Sequence, residues 1–343
     1  MSSDIALHRV VLRADQALHL GEGRGSGFSR VTRHHVPGAT LRGALCALWW
    51  REHPSADQGD FDALIAAVSF SDAVPSRSAA SMRPAAVALD RRLCKRPVVG
   101  CPGGGHPWHT KQCPTCAGPT EPSKGERDVR SAAEVITATR VGLTASEQAE
   151  DKHLYERQGL LLDEGAHLVA MAAGDVGSLV SAGQVLRLGA ASSVAGRATV
   201  TEVAAQPTPE VSLAAGAHAL RLELLTPGVY VDDFGFAVDR PTCDDIRWAF
   251  GLADDTRVAI DRAFTRWTTA SGWHSMANRP KPEDAAVIAH SCFHLTLEVT
   301  HDLIVPALVH DLGIRTTESC GWALLERLPA DLEPQSVEGG HDA

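Results

Sequence analysis

The sequence predicts an α+β protein built from two similar halves, and three observations carry that expectation. Leu188-Gly-Ala-Ala-Ser-Ser-Val-Ala-Gly-Arg197 and Leu312-Gly-Ile-Arg-Thr-Thr-Glu-Ser-Cys-Gly321 both read Leu-Gly-x-x-[Ser/Thr]-[Ser/Thr], with a glycine returning seven or eight residues after the first. Each follows a helix-like segment and precedes a strand-like one, once at the end of each half, which is the pattern of a duplicated βαββαβ unit. Between the halves, residues 205–216 (Ala-Gln-Pro-Thr-Pro-Glu-Val-Ser-Leu-Ala-Ala-Gly) have the composition of a linker. A chance match between small residues is the competing account, and the matching flanks weigh against it. The division that follows is a first domain over 1–205 carrying an insertion at 91–130, a second over 206–328, and a disordered acidic tail over 329–343.

Taken in order, residues 5–13 read as a short strand leading into the glycine loop. A helix is expected after Pro37-Gly38 with Thr40 as its N-cap, because Leu41, Leu45, Leu48 and Trp49 then fall on one face. Arg42 would project from its first turn. Residues 53–90 are rich in Ala, Ser and Pro around a short apolar run, 63–70. The stretch 91–130 is mostly Gly, Pro, Lys and Arg, without hydrophobic periodicity of its own. Strands are expected at 136–144, 154–162 and 166–172, a short helix near 176–182, and a strand after Gly196. The second half repeats the grammar: strand 219–225, helix 244–250, strands 257–264 and 291–299, helix 302–310 and strand 322–327.

With 343 residues, 44 % apolar and 22 % charged, the chain has ample material for a core. Its net charge of −10 argues against indiscriminate nucleic-acid binding, so any such binding must use a local basic surface. No apolar run reaches membrane-spanning length and the N-terminus has no signal region, so a cytoplasmic location and no membrane partner are expected.

The most basic stretch is 18–50. Four glycines stand in Gly21–Gly27, followed or interleaved by Arg24, Arg30, Arg33, His34, His35 and Arg42, with Glu22 as the only acid before the helix. Glycines let a backbone pass close to a ligand, and arginines beside a helix N-terminus attract phosphate. A solvated loop before a core helix is the plainer alternative. A second signal is Cys94-x6-Cys101-x11-Cys113-Pro-Thr-Cys116. Two cysteines on one turn and a second pair at this spacing suit tetrahedral zinc, with His106 and His109 as alternative ligands. Four cysteine ligands leave no open position, so the zinc would be structural. The alternative is four reduced, unliganded thiols. Asp232-Asp233 and Asp244-Asp245 suit a magnesium site no better than a solvated turn and a helix N-terminus. No P-loop or Ser-His-Asp pattern is present.

Val36-Pro-Gly-Ala-Thr-Leu-Arg-Gly-Ala-Leu45 is similar to the Pro-Gly-Ser-[Ser/Thr]-Leu-[Arg/Lys]-Gly motif of the RAMP superfamily, the RNA-binding subunits of CRISPR effector complexes. The two Leu-Gly loops resemble that family's glycine-rich loop. Arg266-Trp-Thr-Thr-Ala-Ser-Gly-Trp-His274, Arg279-Pro-Lys-Pro282 and Ala289-His-Ser-Cys-Phe-His-Leu295 resemble regions of the two-domain subunit of type III, particularly III-D-like, complexes. The resemblance implies two tandem ferredoxin-like, RRM-type domains that hold the 5′ handle of a CRISPR RNA. It implies as partners neighbouring RAMP backbone subunits, a large polymerase-like subunit and, indirectly, target RNA. Subunits of the family that cut RNA carry an aspartate before the Pro-Gly motif. Here that loop holds only Glu22, so a non-catalytic subunit is expected.

RNA binding needs cations for phosphate and planar groups for bases. In the first half Arg24, Arg30, Arg33, Arg42, Arg140, Arg157, Arg187 and Arg197 offer the charge, with His34, His35, Ser192 and Ser193 as further contacts. In the second half Arg262, Arg266, Lys281 and Arg315 would do the same, and Trp267, Trp273 and His274 are candidates for base stacking. Three departures from the family stand out. The first Gly loop lacks the usual arginine pair, Cys320 occupies a position where glycine is common, and His290 stands where a Gly-Ser pair begins. Two rivals remain at this point: a RAMP ribonuclease using His34 and His35 as acid and base, and a zinc-bearing scaffold that does not touch RNA.

Overall fold

A computed structural model of the chain describes residues 6–21, 29–80, 87–125, 132–143, 149–189, 195–274 and 279–333. Arg24, Ser192, Ser193 and the tail beyond 333 lie outside the described residues, as do the side chains of Arg30, Arg140, Trp273 and His274.

The first half runs β1 (Leu7–Ala14), β2 (Ser29–Arg30), α1 (Gly38–Glu52), α2 (Gln58–Ala66), β3 (Val68–Phe70), β4 (Val74–Ser76), β5 (Arg91–Cys94), β6 (His106–Pro107), β7 (Thr120–Pro122), β8 (Ala133–Leu143), β9 (Ala149–Leu162), β10 (His167–Gly174), β11 (Val185–Arg187) and β12 (Arg197–Gln206). Its main sheet has the order β11-β12-β1-β10-β3, with β4 also on β10. Alternation along the strands decides the packing. Val10 and Leu12 of β1 and Leu168, Ala170 and Ala172 of β10 point to one face, where Leu41, Leu45 and Leu48 of α1 cover them. Leu7, Met171 and Ala173 point to the other face and pack on Leu225, Leu308 and Trp322 of the second half. Both faces of this sheet are therefore in use.

The second half runs β13 (Glu210–Leu213), β14 (Gly216–Leu224), β15 (Tyr230–Val231), β16 (Ala237–Val238), α3 (Cys243–Ala249), β17 (Arg257–Phe264), β18 (Trp267–Ala270), β19 (Trp273–His274), β20 (Arg279–Pro280), β21 (Asp284–Val287), β22 (Cys292–Val299), β23 (Leu303–Pro306), β24 (Leu308–Val309) and β25 (Ala323–Arg327). Its main sheet has the order β17-β22-β14-β25-β24. Leu220, Leu222 and Leu224 of β14 and Phe293, Leu295 and Leu297 of β22 share the core face with Ile246 of α3. The alternate residues, Arg221, Glu223, Cys292 and His294, turn the other way. In both sheets the first strand (β1, β14) lies between a central strand (β10, β22) and the last long strand (β12, β25).

Several expectations need correction. Helix α1 begins at Gly38 with Pro37 as its N-cap residue, so Thr40 is inside the first turn. The helix expected at 302–310 is the strand pair β23 and β24: Ile304 and Val305 are β-branched, and Pro306 removes a helical N–H donor. The helix expected near 176–182 shrinks to a 3₁₀ turn at Val176–Ser178, with Gly177 inside it. Residues 205–216 are not a free linker, because β12 reaches Gln206 and β13 pairs with β23. The tail is ordered through Ala330–Leu332, where Leu332 is fully buried.

The insertion also departs from expectation. It has its own three-stranded sheet, β6-β5-β7. Although it interrupts the first half in sequence, it rests on the second half in space. Leu89 N–H donates to His290 O at 2.9 Å. Trp108 Nε1 donates to Leu332 O at 3.3 Å, and its ring lies 5.8 Å from that of Phe264. Arg266 Nη1 donates to Lys124 O at 2.9 Å. The insertion thus roofs the sheet face that carries Arg221, Glu223 and His294.

Candidate nucleic-acid interface and metal centre

The two Leu-Gly loops are closed by the same backbone bonds. Leu188 N–H donates to Gly196 O (2.8 Å) and Gly196 N–H to Ala17 O (3.2 Å). Leu312 N–H donates to Gly321 O (3.2 Å) and Gly321 N–H to Pro227 O (2.9 Å). Each loop starts and ends on a glycine at positive φ: Gly189 (80°) and Gly196 (77°), Gly313 (89°) and Gly321 (81°). Glycine is required there. A Cβ on Gly196 would lie 2.2 Å from Leu188 O. Gly196→Ala is therefore expected to cost about 1–3 kcal/mol from backbone conformation alone, read as a lower urea midpoint.

Two arginines flank the first loop. Arg187 and Arg197 are direct cross-strand partners at its base, and both are exposed. Like charges opposite one another repel, so this pair favours an anion above it. Arg197 Nε approaches Asp15 Oδ2 at 3.4 Å. Burial pushes the Asp15 carboxyl up, but hydrogen bonds from Thr199 and Arg13 hold it below its ordinary range. In the sheet β2-β9-β8, register sets Arg30 beside Arg157 and Arg140 opposite Tyr155. Arg33 Nε reaches Gly21 O at 3.4 Å, and His34 is exposed.

The start of α1 is not an open phosphate cradle. Asp72 Oδ1 accepts from Gly38 N–H at 3.1 Å, and Asp72 Oδ2 lies 3.3 Å from His35 Nε2. The carboxylate already sits where a helix N-terminus would hold an anion. A Cβ on Gly38 would meet Phe70 O at 2.3 Å and Ser319 Cβ at 2.7 Å, so the second Gly loop seals this end of the helix.

Several expected RNA contacts are engaged inside the protein. Arg42 Nη2 donates to Ile65 O at 2.6 Å. Arg315 bonds Glu318 (2.5 Å), Asp284 (2.8 Å) and Ala270 O (2.9 Å), and Lys281 Nζ lies 3.2 Å from Glu318. Arg262 stacks over Trp108 at 4.3 Å. Trp267 is 54 % exposed at the start of β18. Trp273 and His274 pair in register with Pro280 and Arg279. His290, where the resemblance places the start of a Gly-Ser pair, adopts φ 65°, the left-handed conformation that glycine takes without strain.

The four clustered cysteines converge. The Sγ atoms of Cys94, Cys101, Cys113 and Cys116 lie within 4.8 Å of one another. Cys94–Cys101 is 3.5 Å, Cys101–Cys113 3.6 Å and Cys94–Cys116 3.9 Å. Sulfurs around a tetrahedral zinc at about 2.3 Å stand about 3.8 Å apart, so the set fits that ion. Cys101 Sγ accepts from Gly103 N–H and Cys113 Sγ from Cys116 N–H, each at 3.4 Å. The latter bond brings the Cys113 thiol down to about 6, whereas burial and its sulfur neighbours push Cys94 up. A dication among the four would relieve that conflict. His106 Nε2 lies 3.2 Å from Cys94 Sγ, as an outer partner to the four sulfurs.

A buried charged cluster was not legible in the sequence, although His290, one of its members, stood out there. Asp90 is fully buried between the insertion and the second sheet. Arg221 holds it with Nε and Nη2 (2.5 and 3.0 Å), and reaches Glu223 and Glu326 with Nη1, both at 2.8 Å. His290 Nδ1 lies 3.0 Å from Glu223, and His294 Nε2 3.3 Å from Asp90. Burial pushes both acids up, but His294 and Arg221 hold Asp90 far below its ordinary range, as His290 and Arg221 hold Glu223. The available signal was polar residues alternating with Leu220, Leu222, Phe293 and Leu295.

No curated protein sequence matches the chain. Among solved structures, it is similar to a chain of the type III-B Cmr-beta complex bound to cognate target RNA, with 8 % identity, 83 % of this chain and 86 % of that one covered, and a TM-score of 0.47. It is also similar to a chain of the Csm3-Csm4 subcomplex of the type III-A CRISPR-Cas interference complex (11 %, 88 % and 99 %, 0.40), and to a CRISPR protein from Archaeoglobus fulgidus (9 %, 88 % and 99 %, 0.28). The family model described as CRISPR-associated protein (Cas_Cmr3) matches residues 136–323, more than half of the sequence and both Leu-Gly loops. The chain belongs to the CRISPR-associated Cas_Cmr3 family.

Proposed function

We propose that the chain is a non-catalytic, RNA-holding subunit of a type III effector ribonucleoprotein and that it caps the 5′ handle of the guide RNA. The observation that carries this reading, beside family membership, is the repeated Gly-loop clamp with the opposed Arg187 and Arg197 at the base of the first copy. The two sheets with the same strand order support two ferredoxin-like halves, over 1–205 and 206–328. Phosphates would contact Arg33, Arg157, Arg187 and Arg197, with His34, Arg24, Arg30, Arg140, Ser192 and Ser193 nearby in sequence or register. Trp267, Trp273 and His274 would stack on splayed bases. His35, Arg42, Arg262, Arg266, Lys281 and Arg315 would hold the framework. Its partners would be the guide RNA, RAMP backbone subunits and the large polymerase-like subunit, in the cytoplasm, with target RNA reached indirectly. Zinc on the four cysteines would be structural.

Particles purified from cells holding the whole locus should carry RNA with one defined 5′ end. Arg187→Glu with Arg197→Glu should lower its retention at least about tenfold and flatten the salt dependence. Particles without RNA at moderate salt would favour a scaffold. RNA turnover abolished by His34→Ala with His35→Ala would overturn the non-catalytic reading.

A further inference from the structure

The segment 230–256 carries seven aspartates against two arginines and no lysine. Both arginines are spent locally: Arg240 pairs with Asp239 at 2.8 Å and Arg247 with Asp244 at 2.5 Å. The same segment carries aromatic side chains that the fold leaves bare. Phe234 is 86 % exposed, Phe236 71 % and, on α3, Trp248 78 %.

The two phenylalanines are held rigidly. They occupy the tip of the β15–β16 hairpin, where Tyr230 pairs with Val238 and Val231 with Ala237. Asp232 Oδ1 accepts from the N–H groups of Phe234 (3.0 Å) and Phe236 (2.8 Å). Asp232 N–H donates to Phe236 O and Gly235 N–H to Asp232 O, both at 2.9 Å, with Gly235 at φ 81°. Tyr230, at the root, is buried in the core against Phe293. The tip therefore loses little conformational entropy on being covered, which is the property of a preorganised anchor.

We propose that this hairpin, in an acidic segment of the chain, docks a protein partner through an apolar pocket rimmed by lysine and arginine. Charge complementarity selects that occupant. The exposed Asp233, the residue next to the capping Asp232, repels phosphates, so an RNA strand is disfavoured at this tip. The same carboxylate attracts a basic rim. Two exposed aromatic rings on one rigid turn are the kind of side chain that dominates protein interfaces once desolvated. Arginine in the rim would gain further from the ring faces.

The choice of assembly in which to look rests on the proposed function. The test places p-benzoylphenylalanine at Phe234 in the full chain, expressed with the whole locus and irradiated before purification. The expected product is a crosslink to one protein subunit, in a peptide bearing lysine or arginine. Phe234→Ser with Phe236→Ser should lower retention of that subunit at least tenfold. Asp233→Lys should weaken it more at low salt than at high salt. A crosslink to RNA, to a second copy of this chain, or to nothing would overturn the proposal. Guide RNA measured on the same particles separates the two readings. RNA without a protein crosslink removes this inference alone, and a protein crosslink without RNA removes the handle-capping reading alone.

Discussion

Chelating the metal from the purified protein is expected to release about one zinc per chain and to open residues 94–116 to protease. Cys113→Ser should do the same. The cysteines close a sheet of three short strands, with only Cys94 and Cys113 buried among the four. A segment with so little apolar content folds through its metal ligands or not at all. Because Leu89, just before the insertion, and Lys124 within it bond to the second half, and Trp108 bonds Leu332 beyond that half, the loss should not stay local. The melting temperature should fall by at least about 5 °C, a shift that corresponds to about 3–4 kcal/mol for a protein of this size. Unchanged melting and protease resistance after complete metal removal would show that the sulfurs converge for another reason.

Arg221→Met is expected to cost about 3–5 kcal/mol in urea denaturation at neutral pH, because it leaves buried carboxylates without their partner. Among the described residues, Asp90 would keep its contact with His294 and Glu223 its contact with His290. The pH dependence gives the sign. In the wild type both acids titrate below their unfolded values, so their contribution is present above about pH 4 and is lost as pH falls through the depressed folded values. In the variant, burial without Arg221 raises them, so acid relieves the unpaired charge. The gap between wild type and variant should therefore narrow from pH 7 to pH 4. A constant gap would mean that Arg221 acts through packing alone.

Local pattern made part of this legible in the sequence. Leu41, Leu45 and Leu48 marked the buried side of α1, and the Leu-Gly repeats marked two loops with the same closing bonds. What stayed hidden depends on contacts between distant residues. The anion-like position at the start of α1 is filled by Asp72, 34 residues further on. Arg221 and Glu223 read as a solvated strand face because their partner Asp90 is 131 residues away from Arg221. A helix is expected at 302–310, and pairing with β13 and β25 overrides it. Among the arginines expected at RNA, sequence could count the cations and not their neighbours. Arg315 is spent on Glu318 and Asp284, whereas Arg187 faces Arg197.

The seating of the insertion has a consequence for synthesis. Residues 87–125 leave the ribosome before any strand of the sheet they roof, since β14 begins at Gly216 and β22 ends at Val299. Asp90 can meet Arg221 and His294 only after those strands have emerged. Until then the cysteines are exposed on a nascent chain, free to take metal or to be oxidised, with no partner surface to shield them. Metal loading early in translation would set the insertion's shape before its binding face exists. The second half would then fold against a finished roof, and the two halves would become one cooperative unit only in the last step.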